Sequence, residues 1–307
     1  MFGATLTLAA FAKINLGLRV LGKRPDGYHE IQTVLQTISL CDTLRFTVTD
    51  APHIVLACDD RRVPSGAENI VCRAAAALQQ RVGSPRGAYI RLEKKIPLEA
   101  GLGGGSSDAA VTLLALAHLW QTRATEDDLG EIAGSLGADV PFFLKGGTVL
   151  GTGIGREITE LPDADEKFLI VIKPIAGIST ASAYRALNAP SLTSAEAKTI
   201  LSSSQRGEFF DNLDSDAVQN DFEAVAFGLE PEIARAKATL IRSGARAALL
   251  AGSGSAVFGI FDGGDAQERA IQTIELEAGW RVFPCRTVGR SQYRSALRSG
   301  EILAQVN

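Results

Sequence analysis

The chain has 307 residues, 46% of them apolar and 21% charged, a length beyond what one hydrophobic core usually organises, so two domains are expected. Its net charge of −4 and pI of about 5.6 offer no basic field, which excludes a nucleic-acid footprint and leaves any anionic ligand to be met by local donors.

The first element is a strand. Ile14, Leu16, Leu18 and Val20 alternate with Lys13, Asn15, Gly17 and Arg19, a period of two that places the polar set on one face. Residues two apart on such a face lie ~7 Å from each other, so Lys13 and Asn15 can reach one ligand together. Arg24 to Glu30 reads as a turn from its Pro and Asp-Gly content. Leu44, Phe46 and Val48 mark a second strand, with Ile54 to Cys58 as its expected hairpin partner. Glu68 to Val82 has helical spacing and Gly83 ends it. Tyr89 to Ile96 is a strand leading into Pro97, and Ala109 to Trp120 is an apolar helix behind a glycine-serine stretch. Thr125 is the expected N-cap of the next helix, with acidic residues in its first turn, a stripe of Leu129, Ile132, Ala133 and Leu136, and Gly137 at its end.

A division is expected near Pro162, where the chain turns polar, giving units 1–161 and 162–307. Lys167 to Lys173 is continuously apolar and so belongs in the middle of a sheet. Ser191 to Ser204 reads as a surface segment rich in Ser, Ala and Thr. Helices follow around Asp221 to Phe227 and Glu232 to Ser243, then a hairpin of Ala247 to Leu250 and Ala256 to Phe261 joined by Gly252-Ser253-Gly254-Ser255. A helix near Ala266 to Glu277 and a strand from Trp280 to Cys285 complete the pattern. Strands and helices mix without regular alternation in both halves, so the fold class is α+β.

Cys41, Cys58, Cys72 and Cys285 form no CxxC pair and read as reduced thiols of a cytoplasmic protein. His29, His53 and His118 lack zinc spacing. The N-terminus has no basic region followed by a long apolar run, so no signal peptide is expected, and Ala109 to Trp120 is too short to span a bilayer. No membrane and no obligate protein partner is expected.

The strongest chemical signal is Pro97-Leu98-Glu99-Ala100-Gly101-Leu102-Gly103-Gly104-Gly105-Ser106-Ser107, followed by Asp108 and a helix. Glycines let the backbone wrap a ligand and aim N–H groups at it, and the helix behind adds the positive end of its dipole. Ser106 and Ser107 add hydroxyls for phosphate or Mg²⁺. No lysine follows the glycines, so this is not a Walker A loop, and the serine pair breaks the dinucleotide-binding spacing. Taken singly, each feature also has a plainer reading. The glycines make a flexible loop, Gly252 to Ser255 a hairpin turn, Lys13 a solvated charge, and Asp139 a cap for the helix that Pro141 starts.

Together the segments AKINLGL, DGYHE, PLEAGLGGGSSDAA, GADVPFF and LLAGSGSAVFG resemble the GHMP kinases, over most of the chain from near Ala10 to near Phe261. Within that superfamily, AKINLGL with PDGYHE and GADVPFF is similar to the branch that phosphorylates the 2-hydroxyl of a cytidyl diphosphate polyol in non-mevalonate isoprenoid precursor synthesis. The resemblance implies an N-terminal domain like the second domain of ribosomal protein S5, a ferredoxin-like C-terminal domain, and a site in the cleft between them. It implies that Pro97 to Ser107 wrap the phosphates of ATP, with Lys13 and Asp139 as the catalytic pair and Asp139 as the base. It further implies that Asn15 holds the substrate and that Tyr28, His29 and Tyr184 receive the cytidine, and Ser107 is the expected Mg²⁺ ligand. Two departures stand out: Ala251 lacks the hydroxyl that relatives often carry before the second glycine-serine loop, and the acidic Mg²⁺ ligand of the mevalonate-type kinases has no match. Residues 191–215 match no motif. Rival expectations are another GHMP kinase, which needs no aromatic clamp, a catalytically silent nucleotide binder, and a purely structural α+β protein.

Overall fold

The computed structural model describes residues 4–163, 165–192 and 219–299. A long ribbon organises it. Strands β1 (Thr5–Lys23) and β2 (His29–Thr49) pair antiparallel from Thr5↔Thr47 to Lys23↔His29. Register shifts at Phe11/Ala12, Asn15/Gly17 and Val20/Gly22 bend it, as extra residues in one strand do. Both faces of its middle are covered, so Lys13 and Asn15 are as buried as Ile14 and Leu16.

The first sheet has six strands. β3 (Ile54–Cys58), β4 (Gly87–Glu93), β2, β5 (Thr148–Thr152) and β6 (Glu157–Glu160) lie in that order, and β1 pairs with β2. The hairpin expected between residues 44–48 and 54–58 does not form. The edge of β2 from Thr43 to Thr49 pairs with β4, and β3 joins β4 in parallel on its far side. A parallel pair needs a crossover connection, which helix α1 (Ile70–Val82) supplies, capped by the Asn69 side chain accepting from the Val71 N–H at 2.8 Å.

Helix α2 (Gly104–Leu119) starts five residues before the expected Ala109, so the glycine-serine residues form its first turn. It is buried along most of its length and forms the first core with α1, α3 (Glu126–Leu136), α4 (Val140–Lys145) and the sheet face carrying Leu44, Phe46 and Ile90. The Thr125 N-cap closes a reciprocal capping box with Asp128.

The polar stretch after Pro162 runs from β6 to β7 (Phe168–Lys173). Among the described residues, helices α5 (Thr180–Leu187) and α6 (Glu223–Leu229) lie between β7 and α7 (Pro231–Arg242). β8 (Ala247–Leu250) and β9 (Val257–Phe261) form the expected hairpin, followed by α8 (Gly264–Thr273) and β10 (Arg281–Arg286). The sequence β7-α7-β8-β9-α8-β10 with sheet order β10-β7-β9-β8, all pairs antiparallel, is the ferredoxin-like arrangement. β7 is central, as its unbroken apolar run requires. Residues 193–218, which hold most of the Ser191 to Ser204 segment, lie outside the described residues.

The pattern does not end at Cys285. Helix α9 (Arg290–Ser299) returns to the first sheet, where Tyr293 and Ala296 pack with Val288 on Ala9, Phe11 and Cys41. Its buried stripe is short and its other face polar, so the periodicity left no clear mark.

Candidate active site

A cavity of about 1080 Å³ opens between the two sheets, at the upper end of small-molecule sites. β1 delivers Lys13 to it. The ammonium is nearly buried, and a buried cation needs partners. Asn15 Oδ1 accepts from Lys13 Nζ at 2.8 Å, and Asp139 Oδ2 lies 3.6 Å away. The Asn15 amide donates to Thr33 Oγ1 at 2.8 Å, and that hydroxyl donates to the Gly17 carbonyl at 2.8 Å. The chain from Gly17 through Thr33 and Asn15 thus orients Lys13. Asp139 precedes α4 but makes no side-chain capping bond. The plain capping reading fails, and its partly exposed carboxylate is left facing Lys13 and the cavity.

Pro97 to Ser106 form one wall. Gly101 and Gly103 have φ of 74° and 71°, the left-handed region that glycine enters at little cost. A β-carbon at Gly101 would collide with the Ala251 carbonyl, and one at Gly103 would stand 2.8 Å from Phe143 Cζ and 3.1 Å from Lys13 Cγ. The Lys13 N–H donates to the Leu102 carbonyl at 2.9 Å, fastening the loop to β1. The first N–H groups of α2 have no partner within the helix and point where an anion would bind.

The second glycine-serine loop packs against the first. Ser255 N–H donates to Glu99 O at 3.4 Å and Ala256 N–H to Ala100 O at 3.2 Å. Asn220 holds this loop from behind through the carbonyls of Leu250 and Gly252, at 2.9 and 2.7 Å. Gly252 and Ser253 reach the cavity wall, and Ser253 shares a 3.0 Å hydroxyl bond with Thr180. Ser255 is fully buried.

The expected aromatic residues meet at the other end. Tyr28 is 58% exposed at the rim. The His29 and Tyr184 rings stack on each other, 4.6 Å apart at 28°, and Tyr184 meets Phe222 edge-on at 4.8 Å. Burial and the nearby Lys23 push the His29 imidazole down, and burial pushes the Tyr184 hydroxyl up to about 12. Lys23, Arg156 and Arg185 also line the cavity.

Sequence reasoning missed a charged cluster under the glycine-lined wall. Lys94 Nζ donates to Asp42 and, at 2.9 Å, to Asp108, and all three side chains are buried. Asp42 Oδ1 also accepts from the N–H groups of Lys95 and Ile96 at 2.6 and 2.8 Å. Burial, reinforced by Asp42, pushes the Asp108 carboxyl up to about 8, while the two carboxylates hold the Lys94 ammonium above its ordinary value despite burial. Asp108 stood in the quoted motif, but nothing local links it to Asp42. Thr33 was missed for the same reason. Ser107, the expected Mg²⁺ ligand, lies beneath the wall, fully buried, with a hydroxyl that has no partner, whereas Ser106 faces the cavity. Among the described residues no cluster of three His, Cys, Asp or Glu could hold a metal, and no helix is long and apolar enough to cross a membrane.

A glycine-lined helix start beside a paired lysine and aspartate, in a cleft between two α+β units, defines a class. The chain belongs to the GHMP kinases: the model of the GHMP kinases N terminal domain matches residues 69–147 and that of the GHMP kinases C terminal matches residues 199–277. It is similar to 4-diphosphocytidyl-2-C-methyl-D-erythritol kinase of Geobacter sp. (strain M21), 41% identical over 285 residues that cover 92% of this chain and 99% of that protein. The protein of the same name from Solibacter usitatus (strain Ellin6076) is 42% identical over 294 residues, 95% of this chain and 91% of that one. A crystal structure of 4-(cytidine 5'-diphospho)-2C-methyl-D-erythritol kinase superposes with a TM-score of 0.75 at 36% identity, covering 92% of this chain and 100% of the other.

Proposed function

We propose that the chain transfers the γ-phosphoryl group of ATP to the 2-hydroxyl of 4-diphosphocytidyl-2-C-methyl-D-erythritol, a step of isoprenoid precursor synthesis. The observation that carries this is the convergence of Lys13, Asp139 and the glycine loop on one cavity, in a chain about 40% identical to kinases of that name. Phosphoryl transfer asks mainly for in-line positioning and for donors around the moving charge. Asp139 takes the proton of the attacking hydroxyl, and its partial exposure leaves room for that group. Lys13, held by Asn15, stabilises charge on the phosphoryl oxygens and favours the alkoxide. The loop from Pro97 to Ser107 receives the triphosphate, and Asn15 and Thr33 hold Lys13 against drift.

Tyr28, His29 and Tyr184 receive the cytosine, whose flat face suits aromatic stacking. His29 and Tyr184 already touch, so the base lies against the pair with Tyr28 on its open side. Mg²⁺ bound with ATP would supply shielding of the phosphate charge. Ser107 is buried beneath the wall and does not line the cavity, so its hydroxyl does not fit as a ligand. Ser106, on the cavity wall, would offer one, with phosphate oxygens and water as the rest, the usual habit of this cation.

The test is ADP release from ATP and Mg²⁺ with the cytidyl substrate, homoserine, mevalonate or galactose as acceptor. Turnover with the cytidyl substrate alone is expected. Turnover with another acceptor keeps the chemistry and discards the aromatic site, and silence with all four refutes the kinase reading.

A further inference from the structure

We propose that helix α9, outside both matched family segments, is a strut for the catalytic aspartate, with Tyr293 as its positioning residue. The inference rests on the kinase reading of Asp139. Asp139 opens α4, a helix of 6 residues. So short a helix has no stability of its own, and its orientation is set by what packs on it. Of its last-turn carbonyls, that of Phe142 accepts from the Gly146 N–H at 2.9 Å, and those after it need partners from outside the helix. The Phe143 carbonyl finds one in the Tyr293 hydroxyl, which is fully buried and donates to it. Burial pushes that hydroxyl well above its ordinary value, so it remains a donor.

The fit is built from both sides. Gly146, which ends α4 at φ 66°, has no side chain because the Tyr293 ring fills that space. One turn earlier on α9, Arg290 grips the chain beyond α4, donating to the Thr148 carbonyl at 2.6 Å and the Leu161 carbonyl at 3.2 Å. The Phe143 ring lies against Gly103 of the glycine-lined wall, beside the Lys13 stem. One residue therefore touches α9 by its carbonyl and the catalytic centre by its ring, four positions after Asp139. Loss of the Tyr293 hydroxyl frees the end of α4 and lets Asp139 drift from Lys13.

The experiment compares Tyr293→Phe with the wild type in the full chain, below the melting range. Phenylalanine keeps the ring and the packing. kcat is expected to fall roughly tenfold, because small displacements of reacting groups are costly, while KM for ATP and for the cytidyl substrate stay within about twofold. In an Asp139→Asn background the same change is expected to have no further effect, since both act through one group. An unchanged kcat, a loss confined to melting temperature, or an equal loss in both backgrounds overturns the strut. Amide hydrogen exchange supplies a readout independent of turnover. Amides of 140–147 should exchange roughly fivefold faster in Tyr293→Phe, with those of α1 unchanged. Unchanged protection overturns the proposal even where silence of the wild type has refuted the kinase reading.

Discussion

Replacing Lys94 by methionine tests how the glycine-lined wall is held up. Methionine keeps the stem but removes the ammonium shared by Asp42 and Asp108. The lysine side chain is 5% exposed and the two carboxylates 0% and 3%, so water cannot take over its role. Breaking a buried ion pair by removing one partner costs about 3–5 kcal/mol. For a chain of this size each kcal/mol lowers Tm by about 1.5–2 °C, so the expected fall is roughly 5–10 °C at pH 7. The deficit must depend on pH. Burial already raises both carboxyls, Asp108 to about 8, and loss of the cation raises them further. A carboxyl raised in the folded state contributes stability at low pH that is lost as pH climbs toward its folded value. The wild type carries the same penalty up to its own folded values, so the deficit of Lys94→Met grows only above them, for Asp108 from about pH 8 upward. Adding Asp42→Asn and Asp108→Asn should recover at least half of it at about pH 9. Thermal melts by circular dichroism at fixed ionic strength measure all of this. A variant melting within about 2 °C of wild type at pH 7, where one kcal/mol is already visible, would refute the reasoning. So would a deficit no larger at about pH 9 than at pH 7.

Asp139→Asn should lower turnover by about 10²–10⁴, the usual worth of a general base, while calorimetry shows ATP affinity unchanged; normal turnover removes Asp139 from that role. Tyr28→Ala should raise KM for the cytidyl substrate far more than KM for ATP, and equal effects in steady-state kinetics would place Tyr28 outside the base site. Thr33→Val strands the Asn15 amide, which should cost about 1–3 kcal/mol of stability and lower kcat as Lys13 loses its brace. Denaturant unfolding and initial rates on one preparation check both, and a stable variant with full kcat would show that Asn15 holds Lys13 unaided.

What the sequence revealed follows from how local each signal is. The glycine-lined wall of the cavity was legible because its glycines are clustered and their freedom is a backbone property. The ferredoxin-like half was legible because KFLIVIK, the hairpin and the flanking helices each carry their own period. The helical start at Gly104 was hidden, since glycine disfavours helix and only the packed remainder of α2 imposes it. The length of β1 and β2 was hidden because burial on both faces erases alternation. The Asp42–Lys94 pair spans 52 residues and Asn15–Thr33 spans 18, joined only by sheet register and loop closure. Lys13 and Asp139 looked ordinary alone; what distinguishes them is that β1 and α4 bring them within 3.6 Å.

The ribbon with which the chain begins also bears on how the protein is made. β1 emerges before the other strands, yet its far half waits for partners that come about 200 residues later. Leu18 donates its N–H to Gln219 O at 2.9 Å and accepts from Asp221, and the Asp221 carboxylate receives the Val20 N–H across a separation of 201 residues. Leu18 shares its core with Ile170, Phe222 and Leu250. At ribosomal rates of about 5–20 residues per second, Leu18 and Val20 wait on the order of 10–40 s for those partners to emerge. During that interval the nascent N-terminal half carries an uncovered apolar strand end, which makes it a natural client for a chaperone that binds extended hydrophobic segments.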